Sequence, residues 1–343
     1  MNYEARAQEL LQREYKMLIG GELVGAKSGK TYPSHSPSDG RFLADVPYAQ
    51  AEDVEAAVTA AAAAFPAWSK TPLTERAAKL REFIKVLQDN KVDIGIMDAL
   101  DSGNPVTSMI GDVDYSCRAI DYQIGVAIEV KGQTLPSMGN NWLITRREPY
   151  GVVARIIAYN HSALFTAVKF PAPLLMGNSL IIKPSEHTSL STLRIGEILA
   201  PHIPPGLIQI LTGGIPVGEA LAGHRHIKRI TLTGGKQAAL AFYRIAAESG
   251  HLKDFTFELG GKNPMVIYPD ADAEKAFTSA VHGMNFYQTA GQSCGSTSRI
   301  FIHRSLYEQA KAAIKTACEA IRIGEPQDPE TLMAGLSTPQ QFE

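Results

Sequence analysis

Four largely apolar runs, residues 152–158, 180–183, 207–211 and 230–233, are separated by stretches long enough to hold crossover helices. Continuous runs of this kind belong to strands buried on both faces, whereas strands of a half-solvated antiparallel sheet alternate apolar and polar residues. The order strand, helix, strand, helix therefore selects an α/β fold on a doubly wound parallel sheet. Ligands of such sheets sit in the crevice beyond the carboxyl ends of the strands.

Those ends carry polar and glycine residues. The first run closes at Tyr159-Asn160-His161, the second at Lys183-Pro184-Ser185-Glu186 and the fourth at Thr233-Gly234-Gly235. Gly234 and Gly235 ahead of a helix leave backbone N–H groups free to meet phosphate oxygens. Glu186 suits the ribose hydroxyls that an acidic residue after a strand accepts from in dinucleotide sites. A Gly-Gly pair alone is usually a plain turn; three such ends on one crevice point together to a dinucleotide.

The first third reads as helical. Residues 51–64 are Ala-rich, and Glu52 and Asp53 at their start complement a helix dipole. Thr71 and Pro72 predict the N-cap and first position of the next helix, with Leu73, Leu80, Phe83, Ile84 and Leu87 on one face. Residues 127–149 predict a two-stranded excursion, Ile128 and Val130 on one strand and Trp142 and Ile144 on the other, turning at Pro136-Ser137-Met138-Gly139.

The reactive chemistry lies further along. Cys294 stands in Gly291-Gln292-Ser293-Cys294, thirty-six positions after Glu258 of Glu258-Leu259-Gly260-Gly261-Lys262, a carboxylate read as part of a Gly-Gly turn. A catalytic Cys attacks as the thiolate and needs a polar, partly open setting, which Gly291, Gly295 and Ser296 allow. A nearby carboxylate can then activate water against the resulting thioester. An isolated Cys is more often a small buried hydrophobe; the strand-end residues are what raise this pair above that reading.

Bulk properties narrow the partners. At 343 residues, two domains are expected. Lys and Arg total 33 against 35 Asp and Glu, a net charge of -2 that gives no electrostatic case for nucleic acid or an anionic membrane. No run approaches the ~18 apolar residues of a membrane span, and residues 1–16 lack the apolar core of a signal peptide. Cys117, Cys294 and Cys318 are odd in number and form no CxxC pair, which points to free thiols in a reducing cytoplasm. No metal is expected: His224-Arg225-His226 has no third ligand nearby. A small molecule is the expected partner.

On these residues the chain resembles the aldehyde dehydrogenase superfamily of NAD(P)-dependent enzymes, from about residue 17 to the last. The resemblance rests on Glu258-Leu259-Gly260-Gly261-Lys262-Asn263-Pro264 and Gly291-Gln292-Ser293-Cys294, with support from Lys183-Pro184-Ser185-Glu186, Asp101-Ser102-Gly103-Asn104-Pro105 and Arg147-Glu148-Pro149-Tyr150-Gly151-Val152. It implies that Cys294 is the nucleophile, that Asn160 and the Cys294 N–H form the oxyanion hole, that Glu258 activates the hydrolytic water, and that Lys169 helps relay protons. Lys183, Ser185 and Glu186 would bind the adenosine ribose, and Thr233, Gly234, Gly235, Leu259 and Gly260 would line the nicotinamide and pyrophosphate. NAD is the implied cofactor, with NADP second, because the Glu186 carboxylate would repel a 2′-phosphate.

The resemblance also implies domains: dinucleotide binding over 1–126 and 150–259, an oligomerisation hairpin over 127–149 and a second α/β catalytic domain over 260–343. Family members run well beyond Glu343, so that domain is expected to be incomplete, and the full-length form is expected to be a homodimer or homotetramer. Departures are local. His161 follows Asn160 where the family has Phe, Gln288 adds polarity to the expected tunnel, Gly235 replaces a usual Ser, and Ala239 replaces a helix Gly. Three other readings stand beside aldehyde oxidation: a non-catalytic cofactor-binding or oligomerising fragment, a CoA-acylating dehydrogenase, which would not need Glu258, and a Cys peptidase built on Gln292-Ser293-Cys294 and His251.

Overall fold

The computed structural model describes every residue except Met1, Ser137 and Met138. Its strands are β1 (Met17–Ile19), β2 (Glu22–Val24), β3 (Thr31–His35), β4 (Phe42–Pro47), β5 (Thr134–Leu135), β6 (Leu143–Ile144), β7 (Val152–Ile156), β8 (Ser179–Lys183), β9 (Ile208–Ile210), β10 (Ile227–Gly234), β11 (Asp254–Leu259), β12 (Asn263–Ile267) and β13 (Thr297–Ile302). Seven of them form one sheet in the order β11-β10-β7-β8-β9-β1-β2. Strands β7 to β11 pair in parallel, while β1 and β2 close one edge antiparallel.

The chain moves outward from β7 through β8 to β9, then returns to the other side of β7 for β10 and β11. The direction therefore reverses between β7 and β10, and the crevice beyond their carboxyl ends is where a doubly wound sheet takes its ligand. Asn160 follows β7 and Gly235 follows β10, so both lie at that reversal.

Two apolar layers hold the sheet. One face of β7 packs Val152, Ala154 and Ile156 with Val217, Leu221, Ile230, Leu232 and Phe242. The other buries Val153 and Ile157 against Leu80, Phe83, Ile94, Met97, Leu100 and Met109. Helices Leu73–Asp89, Lys91–Ser102 and Val106–Ala127 supply that second layer. Each fully buried Leu, Ile or Phe of this kind contributes about 1.5–3 kcal/mol.

The sheet departs from its sequence pattern at β11, where burial alternates instead of continuing through the strand. Phe255 and Phe257 turn toward Tyr243, with ring centroids 4.9 and 5.0 Å away. Thr256 and Glu258 fall on the opposite face, because neighbouring side chains of a strand point to opposite sides. Glu258 is thus a strand residue two positions before Gly260-Gly261, not a member of that turn.

Other local expectations shift by a few residues. The helix expected over 51–64 continues through Pro66 to Lys70. Pro72 is the N-cap of Leu73–Asp89, so the helix begins one position later than expected, because Thr71 ends the preceding helix. The excursion exists as β5 and β6, paired Thr134 to Ile144 and Leu135 to Leu143. Ile128 and Val130 lie before it, with Ile128 capping the helix Val106–Ala127. The turn expected at Pro136-Ser137-Met138-Gly139 includes Ser137 and Met138, which lie outside the described residues. Beyond Gly260, the parallel pair β12 and β13 packs with helices Ala273–Gly283 and Tyr307–Glu319 around Ile267, Phe277 and Ala310.

Candidate active site

The turn after Glu258 meets the loop that carries Cys294. Asn263 Nδ2 donates to the Cys294 carbonyl at 2.7 Å and to the Ser296 carbonyl at 3.1 Å. A Cβ added to Gly261 would stand 3.1 Å from Asn263 Oδ1 and 3.4 Å from the same Cys294 oxygen, so a side chain there would press on the Asn263 amide. Cys294 itself is exposed, whereas Cys117 is buried and Cys318 intermediate. The loop is anchored on its other side by Gln292, whose Oε1 accepts from Ser337 N at 3.1 Å, while Ser337 Oγ donates to Ser102 O at 2.5 Å.

Register places the next group. Glu258 is level with Thr233, and Leu259 with Gly234, on the adjacent strand. Gly235 caps the helix Lys236–Glu248, and a Cβ added to it would meet nothing within 4 Å, so the approach to the helix N-terminus is open. Lys183 ends β8 with its ammonium buried, donating to Pro184 O at 3.1 Å and lying 3.8 Å from Glu186. Burial pulls the Lys183 ammonium below the usual lysine range, and the Glu186 charge opposes that shift. Glu186 keeps 41% of its side chain open beside this amine, and its Oε1 would stand 3.8 Å from a Cβ on Gly214, across the same crevice. Ser185 is occupied locally: its hydroxyl accepts from His187 N at 3.3 Å and its carbonyl from Ser189 Oγ at 2.8 Å.

Asn160 is 8% exposed, and Asn104 Nδ2 holds its carbonyl at 2.9 Å. That contact explains the Asn in Asp101-Ser102-Gly103-Asn104-Pro105: it fixes the loop after β7. No hydrogen bond joins the Cys294 thiol to Asn160 or Glu258 among the described residues; the Asn263 side chain ties the segment after Glu258 to the Cys294 carbonyl.

Lys169 ends the helix Ser162–Lys169 and lines a cavity of about 860 Å³ together with Arg155, Arg229, Thr231 and Thr256. This cavity lies on the sheet face that carries Glu258. Arg155 is buried, with Nη1 donating to Thr231 Oγ1 at 2.8 Å and Nη2 to Thr233 Oγ1 at 3.4 Å. Its Nε has no partner among the described residues. Burial lowers the guanidinium to about 10, with Glu258 as the opposing charge.

Sequence reasoning gave no role to several of these groups. A cation in the middle of an apolar strand run, as Arg155 is in 152–158, is the signal that could have found it. Asp98 and Asp101 are both fully buried in the helix Lys91–Ser102. Asp98 accepts from Ser191 Oγ at 2.8 Å; Asp101 accepts from Ser34 Oγ at 2.6 Å and Leu190 N at 2.7 Å. Burial pushes their carboxyls up to about 6 and about 7. His161 binds Asp112 through Nδ1 at 2.6 Å. Burial would lower this imidazole, but the Asp112 hydrogen bond and the charges of Asp112 and Asp98 leave it raised. His224 is paired with Glu55 at 3.1 Å.

Comparison with known proteins gives a consistent result. A model of the "Aldehyde dehydrogenase family" matches residues 23–343. The chain is 36% identical over 333 residues to the aldehyde dehydrogenase tropH of Talaromyces stipitatus, covering 96% of this chain and 64% of that protein. It is 34% identical over 329 residues to the hydroxyisobutyraldehyde dehydrogenase of Mycolicibacterium austroafricanum, covering 95% and 64%. The chain thus spans 64% of the length of these curated relatives. An NAD+ complex of aldehyde dehydrogenase from Bacillus cereus superposes with a TM-score of 0.93 at 32% identity, covering 98% of this chain and 69% of that one.

Proposed function

The chain belongs to the aldehyde dehydrogenase family, and from that premise we propose that it oxidises an aldehyde to the carboxylic acid through a thioester on Cys294. The observation that carries this reading is the clamp between the two motifs: five residues after Glu258, Asn263 holds the Cys294 carbonyl at 2.7 Å. A carboxylate at a strand end and an exposed thiol are thereby kept in one region of the molecule.

The residues at the sheet reversal fit a nicotinamide dinucleotide. Gly235 leaves the helix N-terminus open to a pyrophosphate, with Thr233, Gly234, Leu259 and Gly260 around it, and Lys183 and Glu186 are placed for ribose hydroxyls, with Ser185 shaping their turn. The Glu186 carboxylate at the ribose favours NAD over NADP. When bound, the cofactor supplies the hydride acceptor. The Cys294 thiolate forms the C–S bond to the aldehyde carbon, and Asn160 with the Cys294 N–H holds the resulting oxyanion. Loss of hydride leaves a thioester. Glu258 then takes a proton from water as that water attacks the thioester carbon, releasing the acid and the thiolate. Lys169, in the cavity beside Arg155, conducts the proton away from Glu258.

The dinucleotide domain is assigned to residues 1–126 and 150–259 and the catalytic segment to 260–343. Residues 127–149 are an association hairpin of a homodimer or homotetramer, supported by the exposure of Trp142 (85%) and Ile144 (71%). A reducing, cytoplasmic setting suits three free thiols. No helix among the described residues is long and apolar enough to cross a membrane.

The test is an aldehyde panel with NAD and with NADP, followed by reduced-cofactor absorbance, with Cys294→Ala as control. Aldehyde-dependent reduction that disappears in Cys294→Ala is expected. Peptide cleavage without a nicotinamide, or full activity in Cys294→Ala, would overturn the assignment.

A further inference from the structure

The oxidation reading leaves one buried pair without a role. His161 immediately follows Asn160, and its Nδ1 is held by Asp112 Oδ2 at 2.6 Å with both side chains largely buried, at 9% and 14% exposure. Nε2, the other ring nitrogen, has no partner among the described residues, yet it is not among the buried polar atoms closed off from solvent. A ring that gives its Nδ1–H to Asp112 leaves Nε2 an acceptor when neutral and a donor when protonated, and a hydroxyl can pair with it in either form.

The helix that holds the pair also touches the segment leading to Cys294. Ser108 and Asp112 are four residues apart on the helix Val106–Ala127 and share a face. Ser108 Oγ donates to Tyr287 O at 3.0 Å, seven residues before Cys294. The face that carries Asp112 therefore meets the segment leading to the nucleophile. Phe165 packs edge-on against the imidazole at 5.9 Å and keeps the ring from rotating freely.

We propose that His161, positioned by Asp112, determines substrate specificity by hydrogen-bonding through Nε2 to a hydroxyl one or two carbons from the aldehyde carbon. This rests on the aldehyde-oxidising reading above and narrows it. A hydroxyl is favoured over a carboxylate because two acids, Asp112 and Asp98, act on the ring, so their combined charge already outweighs that of an imidazolium. An alkyl group of the same length would leave Nε2 unpaired, which discriminates far more strongly than an extra methylene.

The test uses the chain as it stands and a matched pair, 3-hydroxypropanal and butanal, with succinic semialdehyde as the anionic arm. Two readouts are taken: kcat/KM with NAD, and protection of Cys294 from iodoacetamide by each aldehyde, which needs no turnover. A preference for the hydroxyaldehyde of roughly tenfold or more is expected, as for a hydrogen bond to a charged group. His161→Phe should bring the ratio to within about twofold of unity, His161→Gln should retain a donor and most of the preference, and Asp112→Asn should reduce the ratio by about threefold or more. Circular dichroism checks that each variant folds. An unchanged ratio in His161→Phe, or a wild-type preference for butanal or succinic semialdehyde, overturns the proposal while leaving aldehyde oxidation standing. Failure of all three aldehydes to protect Cys294 overturns both.

Discussion

Asp101→Asn should flatten the pH dependence of folding stability. Asp101 is 1% exposed and accepts hydrogen bonds from Ser34 Oγ and Leu190 N. Burial nevertheless pushes its carboxyl from 3.8 to about 7. The folded chain therefore binds this proton at pH values where the unfolded chain has lost it, and stability falls as pH rises from about 4 to 7. Each pH unit in that window removes about 1.4 kcal/mol, so moving from pH 4.5 to 8 costs the wild type roughly 3 kcal/mol through this group alone. An Asn keeps the acceptor oxygen for Leu190 N, its amide can donate to the Ser34 hydroxyl, and it has no proton to lose. Urea unfolding of both proteins at pH 4.5, 6 and 8 gives the difference directly, since most other titrations cancel. The variant should gain about 3 kcal/mol on the wild type across the range. A difference that stays constant with pH within about 0.5 kcal/mol would refute the buried-acid argument.

Three further outcomes follow from contacts on the sheet and loops. Asn263→Ala removes the donor to the Cys294 and Ser296 carbonyls; the chain should lose about 1–2 kcal/mol in thermal unfolding, and kcat/KM should fall by roughly tenfold. Gly95→Ala, favourable by ~1 kcal/mol in an open helix, should destabilise here by about 1–3 kcal/mol in urea unfolding, because its Cβ would stand 2.5 Å from Ile110 Cγ1 and 2.8 Å from Ile110 N. Thr231→Val takes the 2.8 Å partner from the buried Arg155 and should cost about 1–3 kcal/mol, with Arg155→Met in the same background recovering most of it.

The doubly wound sheet was legible in the sequence because β7, β8 and β9 are largely apolar and buried throughout. Strand β11 was less legible. Its Phe255, Phe257 and Leu259 alternate with polar residues because only one face of it is covered, so Glu258 read as part of a turn. The site motifs gave Cys294, Glu258 and Asn160 their expected roles, but not the groups that hold them. Asn263 and Asn104 act through backbone carbonyls, and a hydrogen bond to a carbonyl leaves no pattern in sequence spacing. Asp98, Asp101 and Asp112 sit on helices where a carboxylate ordinarily marks a solvated face; their burial depends on β3, the loop before Leu190 and the loop after β7, segments far from them in the chain.

The central claim is that Cys294 carries the acyl group and Glu258 releases it. The direct measurement is intact-protein mass spectrometry of Glu258→Gln quenched seconds after mixing with aldehyde and NAD. The account predicts a mass increase equal to one acyl group, mapped to Cys294, together with a burst of about one reduced nicotinamide per chain and slow turnover afterwards. An unmodified Cys294 in a Glu258→Gln chain that cycles at the wild-type rate would contradict it.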